Sequence, residues 1–134
     1  MNTQNNLRLA QNFLEKIGSG ASAEEIAALC TADLQWHIPG DAGVLPWVGH
    51  KVGRESIYQF IVDTQTMIQR ESLVIHDILA SDERGVILGH LQTRISATGK
   101  LIDSEFAIVL KFRDQQISDF LMLEDSFATS KAAR

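Results

Sequence analysis

The second half of the chain carries the pattern that most constrains the fold: four long strand-like segments separated only by short turns. The segments cover residues 72–80, 86–95, 101–112 and 117–127. Turns this short join antiparallel neighbours. A sheet of long strands also has to twist and curl, so one side becomes concave and must be covered by other elements. The pattern therefore predicts a curved antiparallel sheet with a covered inner face.

The first half of the chain supplies the covering helices. Apolar residues repeat at helical spacing between Leu7 and Ile17, and Gly18 ends this run. Ser22-Ala-Glu-Glu25 is a capping-box pattern that predicts a short second helix to about Cys30. A short strand at 34–38 and a loop at 39–53 follow, and apolar spacing from about Arg54 predicts a third helix.

Helices that are segregated from a run of strands are typical of an α+β fold. We expect one domain over residues 1–134, with three N-terminal helices packed on a curved antiparallel sheet, and with 1–5 and 128–134 loosely ordered. The helices cannot fill the concave side of such a sheet completely. The sequence therefore predicts a cone-shaped α+β barrel with a pocket for a small apolar molecule.

Composition excludes several classes of function. The net charge of −5 argues against nucleic acid as a partner, because such binding depends on a basic surface. No signal peptide and no apolar run near the ~20 residues of a membrane span is visible, so we expect no membrane partner. The single cysteine, Cys30, fits a cytoplasmic protein without an internal disulfide. The four histidines are scattered without ligand spacing, and this predicts no metal site.

The order of the elements and several short motifs together resemble the nuclear-transport-factor-two-like superfamily. Asp33-Leu-Gln-Trp-His-Ile-Pro-Gly40 is similar to its first strand, and Trp47-Val-Gly49 with Gly53-Arg-Glu-Ser-Ile57 is similar to its entry into the third helix. Leu123-Glu-Asp-Ser-Phe127 is similar to its closing strand. Within the superfamily, the chain resembles the SnoaL-like and ketosteroid isomerase-related proteins. This resemblance implies a cone-shaped cavity used for acid–base chemistry or ligand binding.

Side-chain alternation divides the strand at 86–95 into two faces. The resemblance implies that the face with Leu88, His90, Gln92 and Arg94 points into the cavity. The other face carries Leu91, Thr93 and Ile95, which we group with Val109 and Leu123 as an uncovered apolar surface. Such a surface predicts a homodimer.

The resemblance to ketosteroid isomerases fails at the two acids that carry their chemistry. The place of the general base, just before the proline of the first strand, is Ile38, and the place of the protonated oxyanion-stabilising Asp is Ile108. Steroid isomerisation by that mechanism is therefore not expected. The residues that we predict to line the ligand pocket are Trp36, Ile38, Phe60, Leu88, Gln92, Phe106 and Ile108.

Limonene epoxide hydrolase is a closer local match. The resemblance places its catalytic Arg at Arg94 and one of its two Asp residues at Asp125, while the second Asp position is Ser96. An Asn on the first strand corresponds to His37. Because Ser is too weak an acid to protonate an epoxide oxygen, that specific activity is not expected.

Our leading hypothesis is a cofactor-free SnoaL-like enzyme that acts on a small apolar substrate with a carbonyl, hydroxyl or epoxide group. Asp125 would be the base, Arg94 its orienter and His37 or His90 the proton partner, since such groups titrate or can be tuned near neutral pH. Two alternatives stay open: a non-catalytic ligand-binding or dimerisation module with the same pocket, and a protein-transport adaptor.

Overall fold

The computed structural model describes residues 2–134 and contains four helices and six strands in this part of the chain. The helices are α1 (Asn2–Gly18), α2 (Ala23–Ala27), α3 (Glu55–Met67) and α4 (Ser126–Ala133). The strands are β1 (Cys30–Ile38), β2 (Gly49–Val52), β3 (Ile68–Ala80), β4 (Arg84–Ile95), β5 (Leu101–Arg113) and β6 (Gln116–Glu124). All six strands form one sheet in the order β2-β1-β6-β5-β4-β3.

The predicted antiparallel run is confirmed for β3 to β6, where each strand pairs with the next. The whole sheet is mixed, however, because β1 pairs parallel to β6. β1 and β6 are far apart in the sequence, so no tight turn forces them to be antiparallel. The predicted loop at 39–53 also contains β2, a short strand with exposed residues that pairs with β1.

Local sequence determines where the covering helices begin and end. Ala10 and Phe13 are fully buried on the inner side of α1. Ser22 caps α2, since its hydroxyl oxygen accepts a hydrogen bond from the backbone N–H of Glu25 at 3.1 Å. The Glu25 side chain forms an ion pair with Lys16, at 3.6 Å, which ties α2 to the end of α1.

Close backbone approach shapes the concave side of the sheet. Gly89 of β4 lies where an added Cβ would stand 2.4 Å from the carbonyl oxygen of Val74 and 2.8 Å from the ring of Phe106. β3 also contains two register shifts, between Arg70 and Ser72 and between Ile75 and Asp77. Bulges of this kind bend a strand and increase its twist, so they help to curl the sheet around its inner face.

Both ends that we expected to be loose are helical over the described residues. α1 starts at Asn2, and α4 occupies most of the predicted tail at 128–134. Thr129 and Ala132 of α4 are buried. Thr98 donates a hydrogen bond to the carbonyl of Ala132 at 2.5 Å, so α4 is packed against the β4–β5 turn.

Candidate functional site

An apolar cavity of about 120 Å³ lies between the helices and the concave face of the sheet. Its wall is mostly aliphatic and aromatic, and its volume is somewhat below the roughly 150 Å³ of an apolar cavity that binds one benzene molecule. The residues on its wall are Leu14, Ile17, Ile38, Leu45, Trp47, Phe60, Ile68, Arg70, Ser72, Leu73, Leu91, Thr93, Ile95, Ile102, Phe106, Ile108, Phe120, Met122, Glu124 and Thr129.

The face of β4 that points into the cavity is the opposite of the one predicted. Leu91, Thr93 and Ile95 lie on the cavity wall. The physical reason is simple, because the more apolar face of the strand is buried and the polar face is left to solvent. The predicted dimer surface therefore loses these three residues and keeps Val109 and Leu123.

The predicted pocket residues Leu88, His90, Gln92 and Arg94 accordingly lie on the outer face of the sheet. There the Asp103 carboxylate accepts a hydrogen bond from Gln92 at 3.0 Å and also contacts His90. Glu105 lies 3.3 Å from the second ring nitrogen of His90. These two carboxylates, Asp103 above all, raise the pKa of His90. His90 thus belongs to a surface ion cluster, outside the cavity.

The predicted pair of Arg94 and Asp125 is not formed. Arg94 instead pairs with Glu71 of β3, with one nitrogen 3.2 Å from the carboxylate. Asp125 is the N-cap of α4, where its carboxylate accepts a hydrogen bond from the Ala128 N–H at 3.0 Å. Both side chains therefore have structural partners away from the cavity.

His37 also lies outside the cavity. On β1, Trp36 and Ile38 point inward, so His37 between them points outward. Its ring packs edge-on against His50 of β2, with 5.5 Å between the ring centroids. None of the four predicted catalytic residues lines the cavity.

The apolar residues predicted for the pocket are mostly brought together. Ile38, Phe60, Phe106 and Ile108 all lie on the cavity wall. Trp36 lies directly behind the wall, fully buried and stacked on Phe120 with ring centroids 4.4 Å apart. Its indole N–H donates to the carbonyl of Trp47 at 2.9 Å. That these predicted pocket residues contact a ligand stays a prediction.

The acidic group on the cavity wall is Glu124, which sequence reasoning passed over in favour of its neighbour Asp125. Glu124 is the last residue of β6, and its register partner on β5 is Phe106. Burial raises the pKa of its carboxyl, the nearby Thr129 hydroxyl partly offsets this rise, and the Asp125 charge adds to it. The sequence did contain a sign that Glu124 points inward, because Phe120, Met122 and Glu124 are spaced two residues apart on β6 and so share one face.

Few other polar groups line the cavity. Thr93, Ser72 and Thr129 are the uncharged polar residues on the wall, and Arg70 lies at its edge. Arg70 and Leu73 are exposed although they line the cavity, so the cavity opens to solvent beside β3. The arrangement is an apolar chamber with a partly buried carboxyl at one place and a guanidinium at the opening.

The sequence matches the model of the SnoaL-like domain over residues 10–120. The chain belongs to the SnoaL-like family. Solved structures show the same fold at low identity. An NTF2-like protein from Burkholderia xenovorans has a TM-score of 0.86 at 20% identity, with 98% of each chain covered. An LEH-like epoxide hydrolase from M. tuberculosis has a TM-score of 0.72 at 16% identity, with 99% of this chain and 92% of that chain covered. No curated protein matches the sequence significantly.

The single cysteine of this SnoaL-like protein lies in the core and has no free reactive surface. Burial raises the pKa of the Cys30 thiol to about 12, so the reactive thiolate is not formed near neutral pH. Within residues 2–134, no group of three or more His, Cys, Asp or Glu side chains is arranged to hold a metal ion. No helix in the same range is both long and apolar enough to cross a membrane.

Proposed function

We propose that this SnoaL-like protein is a cofactor-free enzyme of the isomerase type that moves a proton on a small apolar carbonyl compound. The observation that carries the proposal is the carboxyl of Glu124, which lies on an otherwise apolar cavity wall with a raised pKa. Raised carboxyl pKa values in clefts are typical of general acid–base groups, because such a group can both accept and return a proton near neutral pH.

The number of carboxyls favours proton transfer over epoxide hydrolysis. Glu124 is the one carboxyl on the cavity wall within the described residues. Epoxide opening by water needs one group to activate the water and a second to protonate the leaving oxygen. The proton transfer of an isomerisation needs a single acid–base group, since the carboxylate removes a proton from the carbon next to the carbonyl and the resulting acid returns it to another carbon.

The proposal is tested by hydrogen–deuterium exchange at the carbon next to the carbonyl of five- and six-membered cyclic ketones, followed by NMR in D₂O. We expect the wild-type protein to accelerate exchange, and Glu124→Gln to lower this acceleration by about 100-fold or more. Asp125→Asn is the matched control, because it removes the neighbouring carboxyl outside the cavity, and it should keep most of the acceleration, since burial rather than the Asp125 charge is the main cause of the raised Glu124 pKa. Absence of acceleration, or full acceleration by Glu124→Gln, would refute the proposal.

A non-catalytic binding module is the second candidate. The two positions at which ketosteroid isomerases carry acids are Ile38 and Ile108, and both lie on the cavity wall. A wall this apolar can hold a small molecule without turning it over. Under this alternative, cyclic ketones bind to wild type and to Glu124→Gln with similar affinity, and neither protein accelerates exchange.

A further inference from the structure

Arg70 is a cavity-lining cation that the proposed chemistry does not use. Its register partner across the sheet is Thr93, whose side chain is on the cavity wall, so Arg70 also faces the concave side. Glu71, the next residue along β3, points to the outer face, where it pairs with Arg94. Two consecutive charged residues of β3 are thereby sent to opposite faces.

Glu71 is engaged on the outer face and does not neutralise Arg70. Its carboxylate pairs with Arg94, at 3.2 Å for one of the two contacts. Within residues 2–134, Arg70 has neither an ion-pair partner nor a hydrogen-bond acceptor for its guanidinium. Although Arg70 is exposed at the opening, surrounding side chains partly desolvate its guanidinium and lower its pKa, and no neighbouring carboxylate opposes this effect. Glu124, although it lines the same cavity, is not within ion-pair distance of Arg70.

We infer that Arg70 binds the carboxylate of a small apolar acid whose hydrocarbon part fills the cavity. The guanidinium is unpaired, partly desolvated and located at the opening of an apolar chamber. Such a group can bind a carboxylate through two parallel hydrogen bonds. Thr93, the register partner of Arg70, brings a hydroxyl-bearing side chain to the same part of the wall. This inference rests on the proposed function in one respect, that the cavity is the substrate site.

The position of Arg70 relative to Glu124 defines how such an acid would lie. On β5, the strand next to both β4 and β6, Glu124 is level with Phe106, and the Arg70–Thr93 pair is level with Ile102. This offset of four residues corresponds to roughly 13 Å along the strands, and β4 and β5 also separate β3 from β6. Arg70 and Glu124 therefore lie at different parts of the cavity wall. An acid held by its carboxylate at the opening would extend its hydrocarbon part into the cavity, towards Glu124.

Benzoate and benzamide are suitable probes, because they have the same ring and nearly the same shape but differ in charge. Their dissociation constants are measured by NMR titration at neutral pH and low salt. We expect the wild type to bind benzoate about tenfold or more tightly than benzamide. Arg70→Met should reduce this preference to within about twofold, and retained binding of benzamide shows that the cavity is still folded.

Arg94→Met is the matched control, since it removes a guanidinium from the adjacent strand on the other face, and it should keep the benzoate preference. Arg70→Lys keeps the charge without the planar fork and should fall between wild type and Arg70→Met. A wild type that does not prefer benzoate, or an Arg70→Met variant that keeps the preference, overturns the inference. The proposed function is tested separately, by ketone exchange in wild type and Glu124→Gln. Its failure can therefore be distinguished from failure of this inference, which is tested by benzoate binding.

Discussion

At the scale of single residues, the charge state of Glu124 should be visible in the stability of the fold. Because burial raises its pKa, the folded chain binds this proton more tightly than the unfolded chain does. The stabilisation by the protonated form is complete below the unfolded pKa, for which the ordinary value is 4.5, and it is lost as the pH rises through the raised folded pKa.

Urea unfolding of wild type and Glu124→Gln over a pH series tests this linkage. Gln cannot ionise, so the free energy of unfolding of the variant should rise relative to that of the wild type as the pH increases above 4.5. The difference should level off once the folded carboxyl is fully ionised. Parallel pH profiles for the two proteins would show that Glu124 is solvated, and the proposed acid–base role would lose its basis.

Two glycines should respond in opposite ways to substitution by alanine. Gly89→Ala places a methyl group 2.4 Å from the Val74 carbonyl oxygen and should destabilise the fold by about 1–3 kcal/mol or more. Gly18→Ala, at the end of α1, meets no atom within 4 Å and should be neutral or stabilise by about 0.4–1 kcal/mol. Thermal unfolding compares both variants with the wild type, and similar effects at both sites would contradict this account of Gly89.

The confusion of Glu124 with Asp125 shows why site residues were harder to predict than the fold. Adjacent residues of a strand point to opposite faces, so an error of one position moves a side chain from the cavity to its exterior. Family similarity pointed to the acid nearest the aromatic residue Phe127. The alternation Phe120, Met122, Glu124 within the chain itself pointed to the acid that lines the cavity, because a side chain that shares a face with cavity-lining residues also points inward.

At the scale of elements, the same error occurred over the whole of β4. Alternation alone would have placed Ile87, Leu91 and Ile95 inward, as found, because all three are buried. The resemblance to enzymes with polar cavities suggested the reverse. The sequence offered no direct sign of the partners Glu71 and Asp103 that stabilise Arg94 and His90 outside, since these contacts depend on the register of three strands.

Elements with strong periodicity were predicted, and elements that depend on tertiary contacts were not. The helices α1 and α3 and the strands β3 to β6 follow from their apolar spacing. β2 is four residues long with mostly exposed side chains, so it has no buried face to reveal it. Similarly, α4 lacks a clear apolar stripe, and its position depends on contacts with loops distant in the sequence, such as that of Ser130 with Asp41 at 2.7 Å.

The helix α4 provides a prediction about Asp125. Asp125→Ala removes the acceptor for the Ala128 N–H and should destabilise the fold by about 0.5–2 kcal/mol. Asp125→Asn should cost much less, because Asn is an equally good N-cap residue. Chemical denaturation of both variants measures this difference. Equal losses for Ala and Asn would indicate that the charge of Asp125, rather than its cap, stabilises this end of the sheet.

At the scale of the whole molecule, the helices cover the concave face and leave the outer face of the sheet open. Register places Leu121, Val109, Val86 and Leu79 in one row across β6, β5, β4 and β3. Leu123, which is 45% exposed, lies in the next row, and these five residues together form the apolar band. An apolar band of this kind on the centre of a sheet is more typical of an interface than of a solvated surface.

We therefore predict that this band is the interface of a homodimer with two-fold symmetry, in which the band of one protomer packs on that of its partner. Multi-angle light scattering should give twice the chain mass of 14.9 kDa at micromolar concentration. Leu123→Glu places a charge in the band and should shift the protein towards the single-chain mass, because a buried unpaired charge is strongly unfavourable. Val62→Glu, at a partly exposed apolar site on α3, is the matched control and should leave the dimer intact. A wild-type mass of 14.9 kDa would contradict the prediction, and the outer face would then be a solvated surface whose apolar row is tolerated.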